Sequence, residues 1–198
     1  MSSLLADRAS RKARINRARS ASCVLAHIAG TSRALQRLWS MSSVMILIAE
    51  GALESARAEA ARFEGRLERG GILLGTRRGR HFHIDEATLP MAADRSSRLA
   101  FHRSAQGHQA VALKRWQRSR NTTDWLGDWH SHPELTPLPS TVDLKSWQSL
   151  VRRRGASMLF LIFGYAGIWL GLLNLGALKP IRYLEVEQTE SGVGFLPA

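Results

Sequence analysis

The chain has one cysteine, Cys23, among its 198 residues. A single thiol closes no internal disulfide and builds no four-cysteine zinc knot, so a reducing, cytoplasmic setting is expected. Several catalytic signatures are also missing. The sequence holds no H-E-x-x-H, no phosphate-binding P-loop and no G-x-S-x-G. The zinc deaminase signature needs P-C-x-x-C, which one cysteine cannot supply. No internal repeat is present. A secretory signal fits poorly, because the apolar stretch Val24-Leu25-Ala26 is short and is followed by His27. Acidic residues are scarce beside basic ones: 16 against 28, a net charge of +12.

What is present is an ordinary globular composition, 44% hydrophobic and 22% charged. That excludes a wholly disordered or collagen-like chain, and the length suits one domain with a sizeable core. The positive balance alone suggests nucleic acid or an anionic surface as partner. Its distribution argues otherwise. Residues 1–40 hold eight basic residues and one acid, a net +7, while residues 41–198 hold 20 basic and 15 acidic, a net +5. The first 40 residues are rich in Arg, Ser and Ala, the look of a transit peptide, or of a chain whose translation starts at Met41 or Met45. Two regions are therefore expected: a basic extension over 1–40 and a folded domain over 41–198.

Apolar patterning predicts a strand over Val44–Ile48 and an Ala-rich helix over Gly51–Leu67, stopped by Gly70 and Gly71. A hairpin follows, from Ile72–Leu74 through the basic turn Thr76–Arg80 to His81–Ile84. A helix is expected over Gln106–Ser119, a strand over Trp125–His132, and a helix over Thr141–Arg153. Residues 158–178 carry no charge. That length could span a bilayer, but Gly164 and Gly167 mark a turn between two buried strands, and the hairpin reading is preferred. Ile181–Glu187 is read as the last strand.

The chemistry concentrates in Trp129-His130-Ser131-His132-Pro133 and in Ser140-Thr141-Val142-Asp143. His130 and His132 lie two apart, so on an extended segment both imidazoles share a face. Ser140 is placed at a helix N-cap with Asp143 three residues on. Two imidazoles and a carboxylate form the three-ligand set of a catalytic zinc site, leaving a fourth position for water. The competing reading makes the histidines loop surface and Asp143 a capping acid. His81-Phe82-His83, a second H-x-H, is read as strand surface.

The full spelling, H-x-H-x7-S-x2-D, resembles that of the JAMM (MPN+) zinc metallopeptidases. Glu68-Arg69-Gly70-Gly71-Ile72-Leu73-Leu74-Gly75 is similar to the family's upstream glutamate segment, at the end of the first helix. The resemblance covers about residues 44–187. It implies an α/β (α+β) fold of the cytidine-deaminase-like JAMM/MPN type, with a central mixed β-sheet and flanking helices. Within the family, Gly127–Glu134, Pro139-Ser140 and Trp147 look most like prokaryotic JAB-type members. Some of these belong to CBASS antiphage operons, where they deconjugate a CD-NTase beside ubiquitin-type activating and conjugating enzymes.

The resemblance implies one zinc per chain, held by His130, His132 and Asp143. It implies Glu68 as the base that takes a proton from water and passes it to the leaving amine, and Ser140 as a donor to the oxyanion. Ser140 as helix cap stands beside that role. Glu64 and Glu134 are rivals to Glu68, with plain readings as a solvated helix face and a loop charge. The expected activity is an isopeptidase acting after the C-terminus of a ubiquitin-like or ubiquitin-style conjugated protein, whose extended tail would lie beside the metal, adding to a sheet edge. A non-catalytic MPN scaffold and a nucleic-acid-associated JAB relative are the alternatives. No nucleic acid and no membrane are expected for the domain itself. Trp125, Trp129 and Trp147 are either core anchors or, for Trp147, a groove wall. His108 is either a family feature or a packed helix residue. Arg77, Arg78 and Arg80 are read as a solvated turn.

Overall fold

Continuous apolar runs and period-two alternation set the strands, and the computed structural model describes residues 43–62, 67–98 and 100–198. The expected 1–40 extension lies outside the described residues, as does Glu64. Among the described residues the strands are β1 Ile46–Ala49, β2 Gly70–Arg78, β3 His81–Ala87, β4 Arg95–Ser96, β5 Phe101–His102, β6 Asp124–Ser131, β7 Met158–Phe163, β8 Ile168–Leu173, β9 Ile181–Thr189 and β10 Gly192–Pro197. The helices are α1 Glu50–Ala61, α2 Ala105–Arg118 and α3 Thr141–Arg154.

The fold is α/β, with a central mixed sheet and helices against it. The sheet closes on itself in the order β1-β10-β9-β8-β7-β6-β2-β3, and β4 pairs with β5 in a separate ribbon. β1 runs parallel to β3, and β6 parallel to β7. Alternate residues of β7 serve two cores. Leu159, Leu161 and Phe163 join α1 residues Leu53 and Ala56 in one. Met158, Phe160 and Ile162 join α3 residues Trp147 and Val151 in the other. That explains the charge-free run: both faces of the strand are covered by protein. The expected 158–178 hairpin is present, and no described helix is long and apolar enough to cross a membrane.

Three expectations change. The first helix ends at Ala61 rather than Leu67, and residues 63–66 are not described. Gly70 and Gly71 do not stop that helix; they open β2. Their lack of side chains serves packing. A Cβ on Gly70 would lie 2.6 Å from the Trp129 carbonyl oxygen, and one on Gly71 would lie 2.0 Å from that of Thr88. Ile181–Glu187 is not the last strand either. β10 follows it and joins β9 to β1, closing the sheet. Its glycines Gly192 and Gly194 blur the alternation that would reveal it.

His81 is half-buried, and Arg77, though exposed as expected, makes specific contacts. The His81 Nδ1 accepts the Met45 backbone N–H at 3.0 Å. Arg77 lies over the Phe82 ring at 4.5 Å and donates to the Ser157 carbonyl. Gly155, in the left-handed region at φ 66°, ends α3 after three arginines, where cations suit the helix dipole.

Candidate active site

Two strand pairings and one helix cap assemble the site. β2 and β6 pair antiparallel with Gly70 opposite His130. One residue further along this register, Ser131 N–H donates to the Arg69 carbonyl at 2.8 Å, and Arg69 N–H donates to Ser131 Oγ at 2.9 Å. Glu68 is therefore carried to the level of His132. The Glu68 N–H donates to the Ser97 carbonyl at 2.8 Å, fixing this stretch from its other side. Glu68 thus sits in the link before β2, and not on the end of α1.

The parallel pairing of β6 with β7 extends beyond the strand, where His132 N–H donates to the Phe163 carbonyl at 2.8 Å. His130 and His132 are both buried, and their Nε2 atoms lie 2.9 Å apart. Ser140 caps α3 in a complete capping box. Asp143 N–H donates to Ser140 Oγ at 3.1 Å, and Ser140 N–H donates to Asp143 Oδ2 at 2.7 Å. The Ser140 hydroxyl also donates to Asp143 Oδ2, at 2.6 Å. The box aims the carboxylate back at the strand, with Asp143 Oδ1 3.4 Å from His130 Nε2 and Oδ2 3.4 Å from His132 Nε2.

One ligand atom from each of His130, His132 and Asp143 therefore falls within 4.8 Å of the others. The donor types are two imidazole nitrogens and a carboxylate oxygen, which suit zinc among the first-row metals. The group can hold a metal ion.

Electrostatics follow the same geometry. Burial raises the Glu68 carboxyl above its ordinary 4.5, against the pull of His130 and His132 and with help from Asp143 and Glu134. Burial also acts to raise Asp143, but hydrogen bonds from His130 and His132, their charges and the Ser140 hydroxyl outweigh it. Its carboxyl is held well below the usual carboxylate range. His132 is lowered by burial and raised more strongly by the Asp143 hydrogen bond and charge, for a net rise.

Glu68, His130, His132, Ser140 and Asp143 line one cleft of about 550 Å³. Glu134 lines it too, but is exposed and accepts the Leu138 N–H. Trp147 answers to both of its readings. It is buried, stacks on Phe160 at 4.3 Å and Trp169 at 5.5 Å, and meets the His130 ring at 6.1 Å while lining the cleft. Trp129 is fully buried and donates its indole N–H to the Thr88 carbonyl at 2.9 Å.

His108 is fully buried inside a network that sequence spacing gives no sign of. The Thr88 hydroxyl and the His108 Nδ1 are 2.7 Å apart, and the His108 Nε2 lies 2.9 Å from Asp94 Oδ2. Asp94 also accepts the N–H groups of Met91 and Ser104. This knot ties residues 88–104, which carry the cleft-lining ribbon, to α2. The Ser131 hydroxyl is the other contributor missed in sequence. It lies between the two histidines and, by the period of two, on the opposite face.

The description "prokaryotic homologs of the JAB domain" matches residues 50–173. The chain belongs to the Prok-JAB family. Within it, the chain is 39% identical over 110 residues to a Pseudomonas aeruginosa protein named CD-NTase/cGAS isopeptidase, covering 56% of this chain and 70% of that one. Proteins of the same name from Vibrio cholerae and Escherichia coli are each 38% identical. The first alignment spans 104 residues, 52% of this chain and 66% of the relative; the second spans 116 residues, 58% and 73%. The matched family span includes Glu68, both histidines, Ser140 and Asp143.

Proposed function

We propose that this Prok-JAB protein is a zinc-dependent isopeptidase that releases a CD-NTase-like protein from a bond formed at its C-terminus. The single observation that carries the reading is the convergence of His130, His132 and Asp143 in a cleft that also holds Glu68. The relatives' shared name supports the substrate class, and a role in CBASS-type antiphage signalling follows from it.

His130, His132 and Asp143 would hold the zinc. When bound there, zinc supplies Lewis acidity and a water whose pKa is lowered toward about 7. Glu68 takes a proton from the attacking water and delivers it to the leaving amine. Asp143, held ionised, keeps the two imidazoles oriented. The Ser140 hydroxyl donates to Asp143 here, and a turn about its Cβ–Oγ bond redirects the hydrogen toward the developing oxyanion while the oxygen still caps α3.

Among the described residues the closed sheet leaves no long edge to receive a tail. The cleft is instead bordered by β5 of the short ribbon, so strand addition is assigned to Phe101–His102. A scaffold without catalysis is disfavoured because the whole donor set converges. Nucleic-acid binding loses its main support, because more than half of the excess charge lies in residues 1–40.

The test is metal analysis with cleavage of a CD-NTase-like protein bearing an amide-linked group at its C-terminus. One zinc per chain is expected, with cleavage abolished by chelation and by His130→Ala. Full cleavage by metal-free protein would refute the reading.

A further inference from the structure

A second hollow of about 760 Å³ lies between α2 and α3, beside the metal cleft. Its α2 wall is unusual. Only His108 is buried on this 14-residue helix, while Leu113 and Trp116 stay 52% and 41% exposed and line the hollow. Trp125 and Leu150 face them. Arg103, Leu150 and Arg153 line both the hollow and the metal cleft, so the two form one groove with two arginines at the junction.

The junction has unused cationic donors. The Arg103 guanidinium lies over the Trp125 ring at 4.7 Å, and its Nη2 reaches Asp128 Oδ2 at 3.5 Å. The Arg103 Nε is buried and has no hydrogen-bond partner. Arg153 donates to Ser149 Oγ, and no described carboxylate pairs with it. The acids nearby are already engaged. Asp128 accepts the Trp125 indole N–H at 2.9 Å, and Asp124 pairs with Arg154. A buried guanidinium N–H without an acceptor costs free energy until something accepts from it.

We infer that Arg103 and Arg153 bind a carboxylate side chain on the extended substrate tail, on the acyl side of the scissile bond. Apolar residues of the same tail fill the hollow against Leu113, Trp116 and Leu150. The substrate class sharpens to a tail combining an acid with apolar neighbours. This rests on the isopeptidase reading for its direction along the groove.

The zinc-loaded protein would be given fluorogenic peptides in which one glutamate is walked through the acyl-side residues. A glutamate at one position should raise kcat/KM over glutamine by about tenfold, the scale of one charge-assisted hydrogen bond. Arg153→Gln should remove most of that preference, lowering kcat/KM on the glutamate peptide far more than on the glutamine peptide, and fold normally, since Arg153 is exposed. Arg153→Glu should turn the preference toward lysine at the same position. The same peptides are also captured on immobilised Glu68→Gln protein, which reads the preference without hydrolysis. Absence of cleavage with acid-selective capture strikes the isopeptidase reading alone. Equal capture and cleavage of acidic and neutral peptides at every position overturns the inference, as does a preference unchanged by Arg153→Gln and by Arg103→Gln.

Discussion

Ser131 and Arg69 are joined by a reciprocal pair of hydrogen bonds, 2.8 Å through the Arg69 carbonyl and 2.9 Å through the Ser131 hydroxyl. The residue between the two candidate histidine ligands thus fastens the strand that begins just after Glu68. Ser131→Ala removes one acceptor from a largely enclosed backbone N–H. A loss of about 1–2 kcal/mol is expected in urea denaturation. Peptidase activity should fall further than metal content does, and Ser131→Thr should restore both.

Glu68→Gln keeps the shape of the side chain and removes the proposed base. A fall of about 100- to 10,000-fold in kcat is expected, with zinc content unchanged. In metal-free protein the Glu68 carboxyl should titrate above 4.5, as burial dictates. Loading a divalent cation should bring it down, because a nearby positive charge favours the carboxylate. Carbon-13 NMR of labelled glutamate measures both.

The Asp94–His108 pair anchors the wall of the cleft, and both side chains are nearly inaccessible. Burial acts to raise Asp94, but the His108 hydrogen bond and the backbone donors of Met91 and Ser104 outweigh it and lower its pKa. A carboxyl with a depressed folded pKa gives up its proton more readily folded than unfolded. Its contribution is present above the unfolded value near 3.8 and is lost as pH falls through the folded value. Wild-type stability should decline across that acid window, and Asp94→Asn should flatten the decline. His108→Ala should cost about 3–5 kcal/mol at neutral pH, since it strands a buried acid. Denaturation curves at several pH values decide both points.

Gly71→Ala should destabilise the protein by about 3 kcal/mol or more, because the new Cβ would meet the Thr88 carbonyl oxygen at 2.0 Å. Gly51→Ala is the control. It sits on α1 with nothing within 4 Å of the added carbon, and should stabilise slightly. Thermal melts of the two variants should move in opposite directions.

The sequence by itself determined the local pieces. Period-two spacing put His130 and His132 on one face, and the Ser-x-x-Asp spelling placed Asp143 in the first turn of α3 beneath a capping serine. Both follow from geometry within a few residues, which neighbours cannot override cheaply. The α/β class and the hairpin over 158–178 were legible for the same reason. Tertiary structure decided what depends on distant partners. The pairing of β2 with β6 sets Glu68 against the histidines from about 60 residues away. Closure of the sheet needs β10, a glycine-rich strand that is recognisable only once β1 and β9 flank it. Gly70 and Gly71 read as helix stops until Phe101, Thr88 and Trp129 show why no side chain fits there. The charge that dominates the composition is likewise a matter of placement. Two arginines, Arg103 and Arg153, bear on the cleft because the link between β5 and α2 carries one, α3 carries the other, and the fold brings the two to one junction.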